Sequence, residues 1–289
     1  MTALVYILLC LIWGSTWLAI KIGLSQAPPL LTASLRFLLA MTILILIAKV
    51  NKYSFPRAPG HLLRLGYPGL YMYGVSYALI YLAEQRISSA LTAILFGSFP
   101  FFVALLSLRR LKHERLPWYG WFGLVIGFAG VTLISYDSKL ASGDLFLGSL
   151  LAIGGSFAAA WGMIIHKQHF VKENIVVATS VQMMVGGVLL VLSTCIFERP
   201  IDLHLSAAAV ASIAYLAIFG TVVTFLGYYW LLRRMTAVRV SSIAFITPMV
   251  AVFVGVVFGG ETLSTLTIVG TVLILSGIAM IIRRQPVAA

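Results

Sequence analysis

The chain has 289 residues, 61% hydrophobic and 10% charged, with a mean hydropathy of +1.04 and a formal net charge of +12. This composition excludes a soluble surface and identifies an integral membrane protein. The cationic excess takes its meaning from where Lys and Arg sit, and their placement makes it topological and argues against a nucleic-acid partner.

A bilayer core takes about 20 apolar residues in helical form. Cutting the chain at charges, prolines and polar clusters predicts an all-α polytopic membrane protein with ten transmembrane helices. The spans are Ala3–Ile20, Leu30–Ala48, Leu65–Ala83, Ser88–Leu108, Trp118–Tyr136, Leu145–Ile165, Val176–Phe197, Ala207–Leu232, Val238–Gly259 and Leu266–Ile282. The first run starts almost at Met1 with neither a basic leader nor a clear small-residue cleavage site, and reads as a retained helix rather than a signal peptide. Cys10 and Cys195 fall inside apolar runs and imply no disulfide framework.

The connections divide by charge. Those on the N-terminal side carry fifteen cations: Lys49, Lys52, Arg57 and Arg64; Arg109, Arg110, Lys112 and Arg115; Lys167 and Lys172; Arg233, Arg234 and Arg239; and Arg283 and Arg284. The opposite side carries four, Lys21, Arg86, Lys139 and Arg199, and Arg36 lies within a span. The positive-inside rule then predicts that both termini are cytoplasmic.

The two halves repeat. At an offset of 148 residues Trp13-Gly14 matches Trp161-Gly162, Tyr67 matches Tyr215, Tyr81 matches Tyr229, Arg86 matches Arg234 and Pro100 matches Pro248. One deletion later the offset is 147, pairing Glu114 with Glu261, Gly123 with Gly270 and Gly130 with Gly277. Five spans per half force the second copy into the membrane the opposite way. The expected architecture is therefore two inverted five-helix repeats, residues 1–143 and 144–289, a recurring plan for alternating-access transporters.

Trp13-Gly14-Ser15, Leu35-Arg36-Phe37, a mid-helix proline, Gly260-Glu261-Thr262 and a helix carrying Gly270 and Gly277 occur in that order. This pattern resembles the drug/metabolite transporter superfamily, specifically its ten-helix EamA-type branch, over essentially the whole chain. Lys112-His113-Glu114 departs from the usual Gly-Glu of the first half. The resemblance implies a bacterial inner-membrane protein that exports amino acids or related metabolites.

Candidate functional residues follow from what is costly in a membrane. Arg36 lies six residues into its span, about 9 Å deep at 1.5 Å per residue. It either snorkels to the outer interface, pairs with Glu84 as an outward gate, or holds a substrate carboxylate. Tyr73, Tyr77 and Tyr81 recur every four residues and Tyr228, Tyr229 and Trp230 occupy the matching part of the eighth span. Such a face is packed core, an interfacial aromatic belt or a cavity wall, with Tyr77 and Tyr228 the candidates that lie away from the outermost turn. Trp13 and Trp161, each followed by glycine, serve close helix packing or line a site. Pro100 and Pro248 free the carbonyls of Phe96 and Ala244, as packing kinks or as hinges. Gly120, Gly123, Gly127 and Gly130 form a small-residue face for contact within a monomer or in a homodimer. Glu114 and Glu261 are placed to favour the N-terminal ends of the fifth and tenth helices.

No carboxylate lies near the centre of a span, which favours uniport or coupling through an interface group such as Glu84. No phosphate loop, metalloprotease signature or nucleophile elbow occurs, so neither a cofactor nor an enzyme is expected. The expected function is alternating-access export of a small metabolite, with efflux of amphipathic toxic compounds, or a membrane-embedded enzyme or sensor, as alternatives.

Overall fold

A computed structural model describes residues 1–24, 27–87, 89–111, 114, 116–136, 145–198, 206–247, 249–250 and 265–282. Among the described residues every regular element is helical. In chain order these are α1 (Thr2–Leu24), α2 (Pro29–Val50) and α3 (Pro59–Gly69), which continues through a π-helical segment, Leu70–Val75, into α4 (Ser76–Glu84). Then come α5 (Ser89–Phe96), α6 (Phe99–Arg110), α7 (Trp118–Tyr136), α8 (Leu145–His169) and α9 (Ile175–Phe197). α10 (Ala207–Ala217) runs through a second π segment, Ile218–Val223, into α11 (Thr224–Leu232). α12 (Ala237–Ser241) is followed by further helix over 243–247, and α13 (Thr265–Ile282) closes the described chain.

Among the described residues five segments are long and apolar enough to cross a bilayer: Thr2–Leu24, Pro29–Val50, Phe146–His169, Ile175–Phe197 and Ala207–Leu232. Their exposed faces are apolar, the reverse of a soluble bundle. Leu4, Ile7, Leu8 and Leu11 form one exposed stripe on α1, and Met184, Val188, Leu192 and Ile196 recur every four residues on α9. Polar side chains are inside instead, among them Arg36, Gln182, His166, Thr221 and Ser241. This is a multi-pass membrane protein whose lipid face is made by the same residues that give the sequence its hydropathy.

Helix starts are fixed locally. Pro29 opens α2, where its missing N–H is no loss. Asn174 accepts from the N–H groups of Val176 and Val177, Ser206 from Ala209, and Thr236 from Arg239. Between α5 and α6, Pro100 takes the second position of a new helix, so the fourth apolar stretch is two helices rather than one. Ser98 Oγ donates to the Leu95 carbonyl at 2.6 Å and lies 3.0 Å from Ser156 Oγ, which is 3.5 Å from the Phe96 carbonyl. The broken ladder is thus served from α8.

Glycine sets the tightest crossings. A Cβ at Gly123 would sit 2.7 Å from the Gly277 carbonyl oxygen, and one at Gly130 2.6 Å from that of Gly270, so α7 and α13 touch backbone to backbone. Gly127 lies against the Phe245 ring. The small-residue face of α7 is therefore used within the chain. α2 lies along α9, joined by Ser34 and Thr194 hydroxyls 3.0 Å apart.

Candidate functional site

A cavity of about 110 Å³ opens between the helices, room for roughly seven to eleven water molecules. Trp13, Thr16, Trp17 and Ile20 of α1, Arg36 of α2, Met72, Ser76, Tyr77 and Ile80 of the first π segment and α4, Phe96 and Phe99, Ala159, Phe225 and Tyr228 of α11, and Val240, Ser241, Ile243, Ala244 and Thr247 enclose it. Its walls are aromatic. Trp13 meets Phe225 and Tyr228 edge-on at 5.5 and 5.3 Å, and Phe96 stacks on Phe99 at 5.5 Å.

Arg36 is 1% exposed, so it does not snorkel. Its Nε donates to Thr221 Oγ1 at 2.7 Å and its Nη2 to the Gly220 carbonyl at 2.9 Å. Both partners belong to the second π segment. Thr221 Oγ1 in turn donates to the Leu216 carbonyl five residues back, at 2.8 Å, the spacing of a π turn. The Gly220 carbonyl also accepts from Trp13 Nε1 at 3.3 Å. The guanidinium carbon lies 4.9 Å from the centre of the Tyr77 ring, a cation-π contact that fixes its plane. Its third nitrogen, Nη1, is buried without a hydrogen-bond partner, as are the hydroxyls of Tyr81 and Tyr228. Among the described residues the ion pairs are His61 with Glu173 and Lys167 with Glu114, so Arg36 and Glu84 are not joined in one.

The remaining sequence candidates separate. Trp13, Arg36, Tyr77 and Tyr228 line the cavity together. Trp161, the repeat partner of Trp13, lies elsewhere, with the Arg110 guanidinium 4.8 Å from the centre of its ring. Glu84 ends α4 and is not among the lining residues. Pro100 is buried at the α5–α6 break, next to the lining residue Phe99. Pro248 and Glu261 lie outside the described residues, although the Ala244 carbonyl that Pro248 is expected to free accepts from Thr247 Oγ1 at 3.1 Å.

Two hydrogen-bonded groups that do not line the cavity escape the sequence reading. In the first, Tyr73 Oη donates to Tyr229 Oη at 2.9 Å, Tyr229 Oη donates to Gln182 Oε1 at 2.5 Å, and Gln182 Nε2 meets His166 Nδ1 at 2.9 Å. Tyr229 also lies flat on the His166 ring, centroids 3.8 Å apart. Donation by Gln182 makes His166 Nδ1 the acceptor, which places the proton of the neutral ring on Nε2. The available signal is Gln182 itself, a lone amide in the apolar run of α9.

The second group corrects the expected role of Glu114. Proximity in sequence suggests that it caps α7, but its Oε2 accepts the backbone N–H of Ala237 at 2.6 Å, at the start of α12. Its Oε1 receives Lys167 Nζ at 2.6 Å, and Lys167 Nζ also donates to the Met235 carbonyl at 2.5 Å. Arg233 donates to the Glu173 carbonyl in the same region. The basic connections at this end of the bundle are thus bonded to one another.

The sequence profile of the EamA-like transporter family matches residues 1–136 and again residues 146–283. The chain is 30% identical to an uncharacterized inner membrane transporter, YedA, of Escherichia coli K12, over 89% of this chain and 82% of that protein. It is 29% identical to an uncharacterized transporter, YoaV, of Bacillus subtilis, over 93% and 92% of the two chains. It is also 30% identical to an uncharacterized transporter of Archaeoglobus fulgidus, over 94% and 95%. A solved crystal structure at 18% identity superposes with a TM-score of 0.82, covering 96% of this chain and 95% of the other, a likeness of fold.

Proposed function

Because the chain belongs to the EamA-like transporter family, whose members are transporters and not enzymes, we propose that it is a secondary transporter exporting a small carboxylate-bearing metabolite, an amino acid or a relative, by alternating access. The observation that carries this reading is Arg36, a buried guanidinium with one uncommitted nitrogen in the wall of an aromatic cavity. A carboxylate is the partner with which that remaining guanidinium nitrogen makes its strongest, charge-assisted hydrogen bond.

The proposed scaffold is ten spans in two inverted five-helix repeats, residues 1–143 and 144–289, in the inner membrane with both termini cytoplasmic. Three observations support it. The family profile matches each half separately. The π segments Leu70–Val75 and Ile218–Val223 start and end 148 residues apart, the offset of the sequence repeat. The α7–α13 crossing maps onto itself, because exchanging Gly123 with Gly270 and Gly277 with Gly130 turns one contact into the other. Two interconvertible halves give outward-open and inward-open states of similar energy.

On this scaffold the Glu114 bonds to Lys167 and Ala237 close the cytoplasmic end, and the Pro100 break, mirrored in sequence by Pro248, is the hinge beside the cavity. The glycine face of α7 is occupied within the chain, which favours a monomer. An aromatic cavity also accepts amphipathic toxic compounds, the second reading, although Arg36 disfavours cationic ones. Uptake into proteoliposomes of a panel of amino acids, related carboxylates and cationic drugs tests the proposal. Movement of at least one carboxylate-bearing solute is expected, and purified protein that moves none of the panel contradicts it.

A further inference from the structure

The charge inventory of the cavity narrows the cargo further. Among its described lining residues Arg36 is the single charged side chain, and none of those residues is a carboxylate. A guanidinium removed from water without a counter-charge is costly, and it attracts an anion more strongly in the low dielectric of a membrane interior than it would in water. Two of its nitrogens are committed to Thr221 and Gly220, which fixes the fork, and Nη1 is left to a ligand. Tyr228, also in the wall, has a buried hydroxyl without a partner, a further donor not yet spent.

An ammonium finds much less. The hydroxyls of Thr16, Ser241 and Thr247 spend their protons on the carbonyls of Trp13, Val238 and Ala244 and offer only neutral acceptor oxygens. The aromatic walls add cation-π attraction, but the Tyr77 face is already used by Arg36. Any second cation in the cavity also repels the first. We propose that the cavity selects a small organic monoanion with an apolar or aromatic body, so that among relatives of the amino acids those lacking a free amino group bind best. This rests on the cavity being the cargo site of a transporter.

Three probes that share one ring separate the possibilities: 3-phenylpropanoate, an anion; L-phenylalanine, the zwitterion; and 2-phenylethylamine, the cation. Binding is measured by calorimetry on the whole chain in lipid nanodiscs. The carboxylate is expected to bind at least about tenfold more tightly than phenylalanine, and the amine not at all. Arg36→Gln is expected to abolish the advantage of the carboxylate, and Tyr228→Phe, which removes no existing hydrogen bond, to weaken carboxylate binding several-fold in a folded protein. Binding of phenylalanine or the amine as tight as that of the carboxylate overturns the inference, as does absence of carboxylate binding. Uptake of the wider panel, scored separately, decides whether the chain is a transporter at all.

Discussion

Glu114 and Lys167 meet at 2.6 Å across the midpoint of the sequence, and the second oxygen of the same carboxylate holds the first N–H of α12. One side chain from the first half thus ties together the end of α8 and the start of α12 in the second. Part of the cavity wall, Val240 to Thr247, hangs from that start. The pair is therefore positioned to couple closure of the basic end to the shape of the cavity.

Removing the pair should favour opening at that end. Breaking a partly buried ion pair costs roughly 1 to 3 kcal/mol, between the surface and fully buried cases, which corresponds to roughly five- to 150-fold in an equilibrium. In a Ser241→Cys background, Glu114→Gln is expected to raise maleimide labelling from the basic side by about that factor. The Glu114→Gln/Lys167→Gln double variant should recover part of the difference, since no lone charge remains. Labelling unchanged in both would remove the latch from the account.

The crossing of α7 and α13 offers a test of packing. A methyl at Gly277 would stand 2.5 Å from the Gly123 carbonyl oxygen, and backbone cannot swing aside as a flexible side chain can. Gly277→Ala is expected to cost about 1 to 3 kcal/mol, read as a lower Tm in detergent. At Gly60 in the first turn of α3 a Cβ meets nothing within 4 Å, so Gly60→Ala should leave Tm unchanged or raise it slightly.

Tyr228 and Tyr229 are adjacent and equally buried, yet their hydroxyls do opposite things. Tyr229→Phe strands Tyr73 and Gln182 and is expected to destabilise by about 1 to 3 kcal/mol. Tyr228→Phe removes a hydroxyl that has no partner and should leave the Tm near that of the parent while lowering affinity for cargo. Thermal melts and binding on the two variants check both arms.

Much of the fold was legible because lipid demands long apolar helices and because a repeat is visible at fixed spacing. The cavity residues Trp13, Arg36, Tyr77 and Tyr228 were legible for a related reason: a charge or an aromatic stripe in an apolar run needs an explanation. Trp161 shows the limit. Its sequence context copies that of Trp13, but Arg110 stands over its ring, so repeat symmetry in sequence did not carry over to the surroundings. The partners of Arg36 and Glu114 were not legible, because hydrogen bonds spanning 185 and 123 residues depend on helix rotation and on π turns that leave no mark in composition. Gln182 was missed because a lone amide stands out only once Tyr229 and His166 are seen beside it.

The central claim is that Arg36 receives the cargo, and counterflow of a labelled carboxylate solute in proteoliposomes, parent against Arg36→Gln, tests it most directly. With both proteins shown to be folded by their Tm, the account predicts saturable counterflow in the parent and a loss of at least about tenfold in the variant, the scale of a forfeited charge-assisted hydrogen bond. Equal counterflow by the two proteins would contradict it.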